Sequence, residues 1–470
     1  MTKAVSKHEM NLTQGKILKK LLIFAAPLVF TNILQLLFNA TDIAVLGILV
    51  DDKAVGAVSA TTALISLLVN VFVGLSVGSS VVLSKCVGTG DLDKARRVVG
   101  SSIALCLSCG AILVLIGQLW SETFLIWMGC PSELLQQASI YLKIYFIGVP
   151  IILFYNFAAS MLRAVGDTFR PMLYMMIAGV ANVGLNVFFI VVFDLTVEGV
   201  AIGTVASQAI ASVLAFIAMR RSDGFCKFQY KNFRFYKQEV MDILKVGLPS
   251  GLQSSLFGIS NVLISSTVNS FGAAATTGSG VAAQFDAFVY TVGYAVALAC
   301  MSFVSQNAGA GKPRRIKRVV LISVAVAVAL QLVVGGFIIL LSDPLMRIMS
   351  NSPDVLEFGR KRLFIMCGTY FLCGMMDTLV HAMRALGKST TSMILTVFFV
   401  CVFRIIWLNS IYLLNPIFEM IFYSYIASWV LNVSIHAFML LREIKRLMKK
   451  YHGTESLDED SCEETENVAV

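Results

Sequence analysis

Two stretches of the chain nearly repeat each other: KCVGTGDLDKARRVV at residues 85–99 and QNAGAGKPRRIKRVV at residues 306–320. They lie 221 residues apart, and the same offset matches MLRAVG at 161–166 with AMRALG at 382–387. Each stretch is basic and carries a Gly-x-Gly step, and each is flanked by long apolar runs. The repeat indicates that one helical unit occurs twice in the chain.

The composition places this repeat in a membrane. Of the 470 residues, 57% are hydrophobic and only 14% are charged, whereas a soluble domain carries about 25% charged residues. The apolar residues form runs of about 20, the length a helix needs to cross a hydrocarbon core of ~30 Å. These numbers exclude soluble enzymes, disordered scaffolds and secreted disulfide proteins. They predict an all-α integral membrane protein.

Twelve spans are predicted, six in each copy of the repeat. Because six is an even number, both copies cross the membrane in the same sense, which predicts two parallel six-helix lobes with a site between them. The predicted organisation is an N-terminal lobe at 1–219, a linker at 220–245, a C-terminal lobe at 246–441 and a cytoplasmic, partly disordered acidic tail at 442–470. The predicted spans are 21–48, 59–83, 98–120, 139–162, 171–194, 199–219, 246–270, 279–303, 319–341, 362–383, 392–413 and 421–441.

Basic residues predict the orientation of these spans. With the N-terminus and every even-numbered connection on one side, that side collects 30 of the 37 Lys and Arg residues. Such a bias marks the cytoplasmic side. We therefore expect a multi-pass plasma-membrane protein with both termini in the cytoplasm. The net charge of +9 is assigned to a membrane surface and its lipids rather than to nucleic acid, and a monomer is expected.

No energy-coupling motif or cofactor site is evident. Gly309-Ala-Gly-Lys312 is the nearest match to a phosphate-binding loop, and it lacks the earlier glycine and the following Ser or Thr. A polar turn between helices explains it better. Transport by this chain would then be driven by a gradient of H⁺ or Na⁺, with no cofactor and no dedicated metal centre.

Asp42 stands out among the ionisable groups within predicted spans. Gln35, Asn39 and Asp42 are spaced by four and three residues, which places them on one helical face. Such a face is costly against lipid, so we expect it to line a cavity. The alternative is a buried hydrogen-bonded seam between helices.

The C-terminal half holds further candidates. Asp377 and His381 are one helical turn apart and could relay protons or simply pack. Gln284 and Asp286 open the eighth predicted span, and Arg404 lies in the middle of the eleventh. An ion pair between Arg404 and one of the carboxylates and a direct role in cargo binding remain equal alternatives.

Amides form a second group in the N-terminal half. Asn182 and Asn186 are an i, i+4 pair in the fifth span, where they could ligate a cation or hold helices together. Asp377 corresponds to Asn156 at the offset of 221. The carboxylate at this position therefore occurs in only one copy of the repeat. His436 is expected to be an ordinary core residue.

Several local motifs together resemble the multidrug and toxic compound extrusion family of secondary antiporters. They are Ala26-Pro27 in the first span, TDIAVLG at 41–47, the two Gly-x-Gly stretches, LRAVGD at 162–167 and Gly247-Leu-Pro249. The resemblance covers residues 15–441, nearly all of the membrane part. It implies efflux of cationic, often amphipathic compounds in exchange for H⁺ or Na⁺.

The resemblance also implies roles for individual residues. Asp42 is similar to the first-helix aspartate of the family, and Asp377 to the tenth-helix aspartate of NorM-like members. Asn156, Asn182 and Asn186 fall where relatives carry polar residues of the N-terminal cavity.

We accordingly expect two sets of site residues. The coupling ion or proton is assigned to Asp42, Asn156, Asn182, Asn186 and Asp377, with a possible Na⁺ at Asp42, Asn182 and Asn186. Cargo contacts are assigned to Gln35, Asn39, Asp42, Gln284, Asp286, Asp377, His381 and Arg404.

The chain departs from the family pattern at two positions. Asn186 stands where some members carry an aspartate, and Phe257 where NorM-like members carry a glutamate. The choice between H⁺ and Na⁺ stays open. A flippase for lipid-linked saccharides remains the runner-up function, followed by an integral membrane lipid-modifying enzyme.

Overall fold

The computed structural model describes residues 9–451, and in this range the chain folds almost entirely into helices. A short 3₁₀ turn lies at Tyr230–Asn232, and a one-and-a-half-turn helix at Ser342–Arg347. The twelve long helices are α1 Ile17–Leu49, α2 Asp52–Thr89, α3 Leu92–Trp127, α4 Ser132–Ala164, α5 Phe169–Phe193, α6 Val197–Arg221, α7 Lys237–Asn269, α8 Ala273–Gly309, α9 Pro313–Leu340, α10 Pro353–Ala385, α11 Ser389–Leu414 and α12 Phe418–Lys450. We use N-lobe for α1–α6 and C-lobe for α7–α12.

Eleven of these helices are long and apolar enough to cross a membrane, by length and composition. The exception among the described helices is α7, in which Ser, Gln and Asn residues interrupt the apolar ones. The prediction of an all-helical membrane protein is confirmed.

Most helices extend beyond the predicted spans. α2 contains 38 residues and is about 57 Å long at 1.5 Å per residue, nearly twice the hydrocarbon thickness of ~30 Å. α7 begins at Lys237, inside the predicted linker, and α12 continues to Lys450, inside the predicted tail. The hydropathy of the sequence does not predict these ends, because they are charged helical turns that extend from the hydrocarbon core into water. The acidic segment 452–470 lies outside the described residues.

Glycines bring the two lobes into backbone contact. Gly74 and Gly78 of α2 lie against the backbone of Gly251 and Gly247 of α7, with no room for a methyl group between the helices. Small residues allow such close approach, which is a common basis of helix association in membranes. α7 is thereby held against the N-lobe despite its low hydropathy.

The reciprocal contact joins α1 to α8. Phe24 packs edge-on against Phe303, with ring centroids 5.8 Å apart. At the repeat offset α1 corresponds to α7 and α2 to α8, so the contacts α2–α7 and α1–α8 are equivalent. The first helix of each lobe thus packs on the second helix of the other.

At one end of the bundle the two repeated stretches, 85–99 and 306–320, pack against each other and join the lobes. We call this the basic end because the Lys- and Arg-rich stretches 85–99 and 306–320 lie there. Gly88 lies against the carbonyl oxygen of Gln306, and Gly309 lies against the carbonyl oxygen of Lys85. An offset of 221 converts each contact into the other.

The N-terminal segment, residues 9–16, reinforces this closure. Leu12 is fully buried, its N–H donates to Gln306 Oε1 (3.2 Å), and its carbonyl accepts from Asn307 Nδ2 (3.1 Å). Gln306 also donates from Nε2 to the carbonyl of Ala164 in the N-lobe (2.8 Å). One side chain of α8 therefore joins the segment to both lobes.

Candidate functional site

Asp42 lies in a cavity of about 230 Å³ inside the N-lobe. Gln35 and Asn39 line it together with Asp42, so the polar face of α1 borders a cavity and not lipid alone. The stacked rings of Tyr141 and Tyr145, with centroids 6.2 Å apart, form part of the wall. The remaining lining residues are Phe38, Ile152, Met175, Ala178, Gly179, Asn182, Thr204, Ser207 and Gln208.

Neutral groups hold the Asp42 carboxylate. Asn186 Nδ2 donates to Oδ1 at 2.6 Å, and the Thr204 hydroxyl donates to Oδ2 at 3.3 Å. Asn182 Nδ2 donates in turn to the Thr204 hydroxyl at 3.3 Å. The structure thus brings together three of the predicted ion-site residues: Asp42, Asn182 and Asn186.

Two amide oxygens in this cluster are unsatisfied. Oδ1 of Asn182 and Oδ1 of Asn186 are buried and accept no hydrogen bond among the described residues. An unmade hydrogen bond at a buried polar atom costs roughly 1–3 kcal/mol. Such orphan acceptors beside a carboxylate are the kind of oxygen atoms that bind a hard cation.

Tight packing fixes the Asn186 amide. Gly203 of α6 lies directly against Asn186 Oδ1, so a side chain at position 203 would collide with the amide. Gly179 of α5 leaves the same kind of space for the ring of Phe38. α5 can therefore approach α6 and α1 closely enough to orient its amide toward Asp42.

Asn156 does not join this cluster. Its Nδ2 donates to the Ile152 carbonyl one turn back at 2.9 Å, and it lies outside the cavity lining. Gln284 is likewise apart from any cluster, since its side chain is exposed on α8. The ion role of Asn156 and the cargo role of Gln284 stay predictions.

Asp286 is fully engaged inside the C-lobe. Arg362 donates from Nε and Nη2 to Oδ2 (3.0 and 2.9 Å), and Tyr370 donates to Oδ1 (3.2 Å). Arg362 also donates from Nη1 to the Ser279 hydroxyl at 2.8 Å. The predicted alternative of an ion pair between Asp286 and Arg404 is therefore wrong, because Arg362 takes that place.

Asp377 and His381 are neighbours, but not through the carboxylate. His381 Nδ1 donates to the backbone carbonyl of Asp377 (2.8 Å), and its Nε2 accepts from Arg384 Nη1 (3.3 Å). Oδ2 of Asp377 is buried without a hydrogen-bond partner in the described part of the chain. Of the two alternatives for this pair, the described conformation shows the packed imidazole and no hydrogen bond between the two side chains.

Arg404 lies on α11 just after a π-helical turn at Val397–Val402. Its Nε donates to the Ser428 hydroxyl at 2.9 Å, and its guanidinium carbon lies 3.8 Å from the centroid of the Tyr425 ring. No carboxylate within residues 9–451 forms an ion pair with it. His436 is buried and bonds Ser392 and the Asn432 carbonyl, as a core residue would.

A larger cleft of about 520 Å³ opens at the end of the C-lobe opposite the basic end. Its charges are paired at the rim: Arg360 with Asp343 (3.2 Å), and Lys361 with Glu357 (3.0 Å) and Glu419 (3.2 Å). Exposed pairs of this kind contribute little. The smaller Asp42 cavity therefore remains the better candidate site.

Sequence reasoning missed Thr204, the two tyrosines of the Asp42 cavity, and Arg362. Thr204 and the tyrosines carry no formal charge and occur on otherwise apolar helices, so nothing local distinguishes them. Arg362 is the first residue of the predicted span 362–383, and nothing in the sequence assigned it a partner inside the lobe. A long arginine side chain can extend inward from a helix end, and Arg362 does so.

Comparison with known proteins agrees with this architecture. The family model described as MatE matches residues 27–214 and 249–408. The chain is 27% identical over 385 residues to the probable multidrug resistance protein YpnP of Bacillus subtilis (strain 168), covering 82% of this chain and 86% of the relative. It is 23% identical over 386 residues to the multidrug export protein MepA of Staphylococcus saprophyticus, covering 82% and 85% respectively.

The fold is also similar to a solved MOP superfamily transporter from Pyrococcus furiosus. The TM-score is 0.87 at 21% sequence identity, over 95% of this chain and 99% of the other. Both halves of the chain match the family model, and the helical architecture agrees over nearly the full length. The chain belongs to the MatE family of multi-pass membrane transporters, and it is not an enzyme.

Proposed function

We propose that this protein is a secondary antiporter that exports cationic, amphipathic organic compounds in exchange for H⁺ or Na⁺. The observation that carries the proposal is the Asp42 cluster, in which a carboxylate inside a membrane lobe is held by neutral dipoles and faces a cavity. The names of the relatives, multidrug resistance and multidrug export proteins, support the same class of cargo.

Competition for Asp42 couples the two fluxes. A cationic cargo group and the coupling ion both favour the ionised carboxylate, so each excludes the other. The orphan oxygen of Asn182, together with Asp42 and the Thr204 hydroxyl, could complete the ligand set of a Na⁺ ion. Protonation of the same carboxylate would serve equally well for H⁺ coupling.

The size of the cavity limits what it holds in this conformation. Its volume of about 230 Å³ is below the roughly 300–1,000 Å³ of drug-sized sites. It suits a coupling ion or the charged group of a cargo, but not a whole drug. Tyr141 and Tyr145 present aromatic rings that favour an organic cation.

The proposal assigns narrower roles in the C-lobe. Asp286 is left out of the cargo site because both of its oxygens are occupied. Asp377 remains a second ion or cargo group, since its carboxylate has no competing partner among the described residues. The basic end faces the cytoplasm of a plasma-membrane protein, in accordance with the positive-inside bias.

The test is efflux of a fluorescent organic cation from vesicles containing the purified protein. Proton and sodium gradients are imposed separately. We expect one of them to drive export by the wild type, and Asp42→Asn to reduce export to the level of empty vesicles. Asp223→Asn is the matched control, because Asp223 lies in the linker and pairs with Lys227 in the described part of the chain.

Two results would contradict the proposal. Gradient-driven export that survives in Asp42→Asn would remove the carboxylate from the coupling step. Absence of export under either gradient, with correctly folded wild-type protein in the vesicles, would refute antiport of cations altogether.

A further inference from the structure

The C-lobe contains a buried guanidinium with no acidic partner. Arg404 is 4% exposed, and the contacts of its guanidinium are the Ser428 hydroxyl and the rings of Tyr425 (3.8 Å) and Trp429 (5.9 Å). Only Nε is used by Ser428, and within residues 9–451 neither Nη atom donates a hydrogen bond. An unpaired charge inside a membrane protein is unfavourable and usually marks a functional position.

The carboxylates of the same lobe do not neutralise Arg404. Asp286 is claimed by Arg362, and Asp377 makes no ion pair with any arginine among the residues described. The interior of the C-lobe thus carries Arg362, Arg384 and Arg404 against two aspartates. One positive charge is in excess.

The repeat offset relates this position to the Asp42 cavity. Thr204, Ser207 and Gln208, which line that cavity on α6, correspond at 221 residues to Tyr425, Ser428 and Trp429 on α12. The last three are the residues that contact Arg404. The two lobes therefore use equivalent positions of their sixth helices around opposite charges.

The backbone next to Arg404 is also irregular. The π-helical turn at Val397–Val402 immediately precedes the helical turn that carries it. Such turns are rare and occur frequently at functional sites, since they displace the side chains that follow. This irregularity is independent of the charge count and points to the same residue.

We propose that Arg404, Tyr425 and Ser428 form a binding site for the acidic group of a cargo molecule, a carboxylate, sulfonate or phosphate. This inference rests on the proposed transport function and extends its cargo to zwitterionic amphiphiles. The Nη edge of a guanidinium can donate two parallel hydrogen bonds to two oxygen atoms of such a group. Tyr425 covers one face of the group, and Trp429 and Tyr370 continue the aromatic surface for an apolar ring system, with successive centroids 5.7 and 5.5 Å apart.

Arg404 is only 4% exposed, so the site is closed in this conformation. Alternating access opens each binding position in turn, so a cargo reaches the guanidinium when the lobes move apart. The acidic group then replaces solvent as its counter-charge. A purely structural Arg404 would instead stay stacked on Tyr425 throughout the cycle.

The test uses two rhodamine dyes, one with a free carboxylate and the other its ethyl ester. They share the aromatic cation and differ only in the acid. The measured quantity is the ratio of KM for the carboxylate dye to KM for the ester in wild-type and Arg404→Gln vesicles. We expect the ratio to rise about 10- to 100-fold in the variant, the range for loss of a charge-assisted hydrogen bond.

Arg360→Gln is the matched control, because Arg360 lies at the opposite rim with Asp343 and should leave the wild-type ratio in place. Arg404→Lys keeps the charge but loses the planar fork, so an intermediate ratio is expected. If Arg404→Gln does not insert into the membrane, Arg404→Lys and Ser428→Ala provide the measurement.

Each outcome is decisive. If the ratio is unchanged in Arg404→Gln, Arg404 is a structural residue and this inference fails while cation antiport stands. If no gradient drives transport of the ester by the wild type, the proposed function fails and the inference with it.

The lipid composition of the vesicles distinguishes an acidic group of the cargo from the phosphate of a lipid. The ratio should respond to Arg404→Gln in vesicles of phosphatidylcholine alone. A response that appears only when phosphatidylglycerol is added would identify a lipid phosphate as the ligand and overturn the assignment to cargo.

Discussion

The two lobes are built on one helical plan but place opposite charges beside equivalent positions of their sixth helices. The N-lobe places one carboxylate, Asp42, among amides and hydroxyls. The C-lobe places Arg404 among aromatic rings, while Asp286 is tied to Arg362. The backbone contacts are the same in both copies of the repeat, as at Gly88 and Gly309. The charged side chains differ between the copies. The fold is therefore duplicated and the sites have diverged.

The difference in partners decides what each carboxylate can do. Neutral dipoles orient the Asp42 carboxylate without neutralising it, so a cation can bind there and leave again. A guanidinium neutralises Asp286 permanently, and removing either partner leaves a buried charge. Ionic networks in membrane lobes therefore need not be transport sites, even where they contain the most charge.

The largest expected effect separates Asp42 from Asp377. Asp42→Asn should abolish gradient-driven export, because an amide at this position has neither the negative charge that attracts a cation nor a site that takes up a proton. Asp377→Asn should lower export only in part, because Asp377 is the second ion or cargo group and lies outside the cavity that holds Asp42. Initial efflux rates at matched protein content provide the measurement. The reverse ranking would move the coupling site to the C-lobe.

The Asp286–Arg362 pair should matter for stability rather than coupling. Asp286→Leu leaves Arg362 buried with Ser279 and should destabilise the protein by about 3–5 kcal/mol, the usual cost of breaking a buried pair. Asp286→Leu combined with Arg362→Met should recover most of that loss. Thermal unfolding midpoints in detergent measure both, with Asp42→Asn as the comparison, for which little change is expected. A single variant as stable as the wild type would show that the ion pair is dispensable.

The sequence predicted the helical architecture well because its signals are local. Apolar runs and the offset of 221 residues follow directly from the order of residues. The amides of α5 could be proposed as partners of Asp42 for a similar reason, since Asn182 and Asn186 are polar residues on one face of an apolar helix.

Pairings across the fold could not be read in this way. Arg362 reaches Asp286 across 76 positions of sequence, and the sequence placed Arg362 only at the first position of the tenth predicted span. The two alternatives for Asp377 and His381 could not be separated for a different reason: the imidazole bonds the backbone carbonyl of Asp377 instead of its carboxylate. Spacing of i, i+4 identifies neighbours on a helix, but it does not choose between side-chain and main-chain acceptors.

Packing around the Asn186 amide offers a test of intermediate size. Gly203→Ala would push a methyl group against Asn186 Oδ1 and tilt the donor away from Asp42. Overpacking of this kind costs about 1–3 kcal/mol, so export should fall about tenfold or more. Gly184→Ala on α5 is the matched control, because that position opens onto free space. Equal effects of the two substitutions would show that the position of the amide is unimportant.

The smallest expected effect concerns the amides that do not touch Asp42 directly. Asn182 donates to the Thr204 hydroxyl that in turn bonds the carboxylate, so Asn182→Ala should raise the half-saturating ion concentration about fivefold, the equivalent of one neutral hydrogen bond of ~1 kcal/mol. Asn156→Ala should stay close to wild type, since that amide bonds its own helix outside the cavity. The half-saturating ion concentration for export measures both.

If Na⁺ is the coupling ion, Asn182→Ala loses a ligand oxygen and shifts the sodium dependence. If H⁺ is the coupling ion, the same variant shifts only the pH dependence. A larger shift in Asn156→Ala would place the ion site deeper along α4 than the Asp42 cavity.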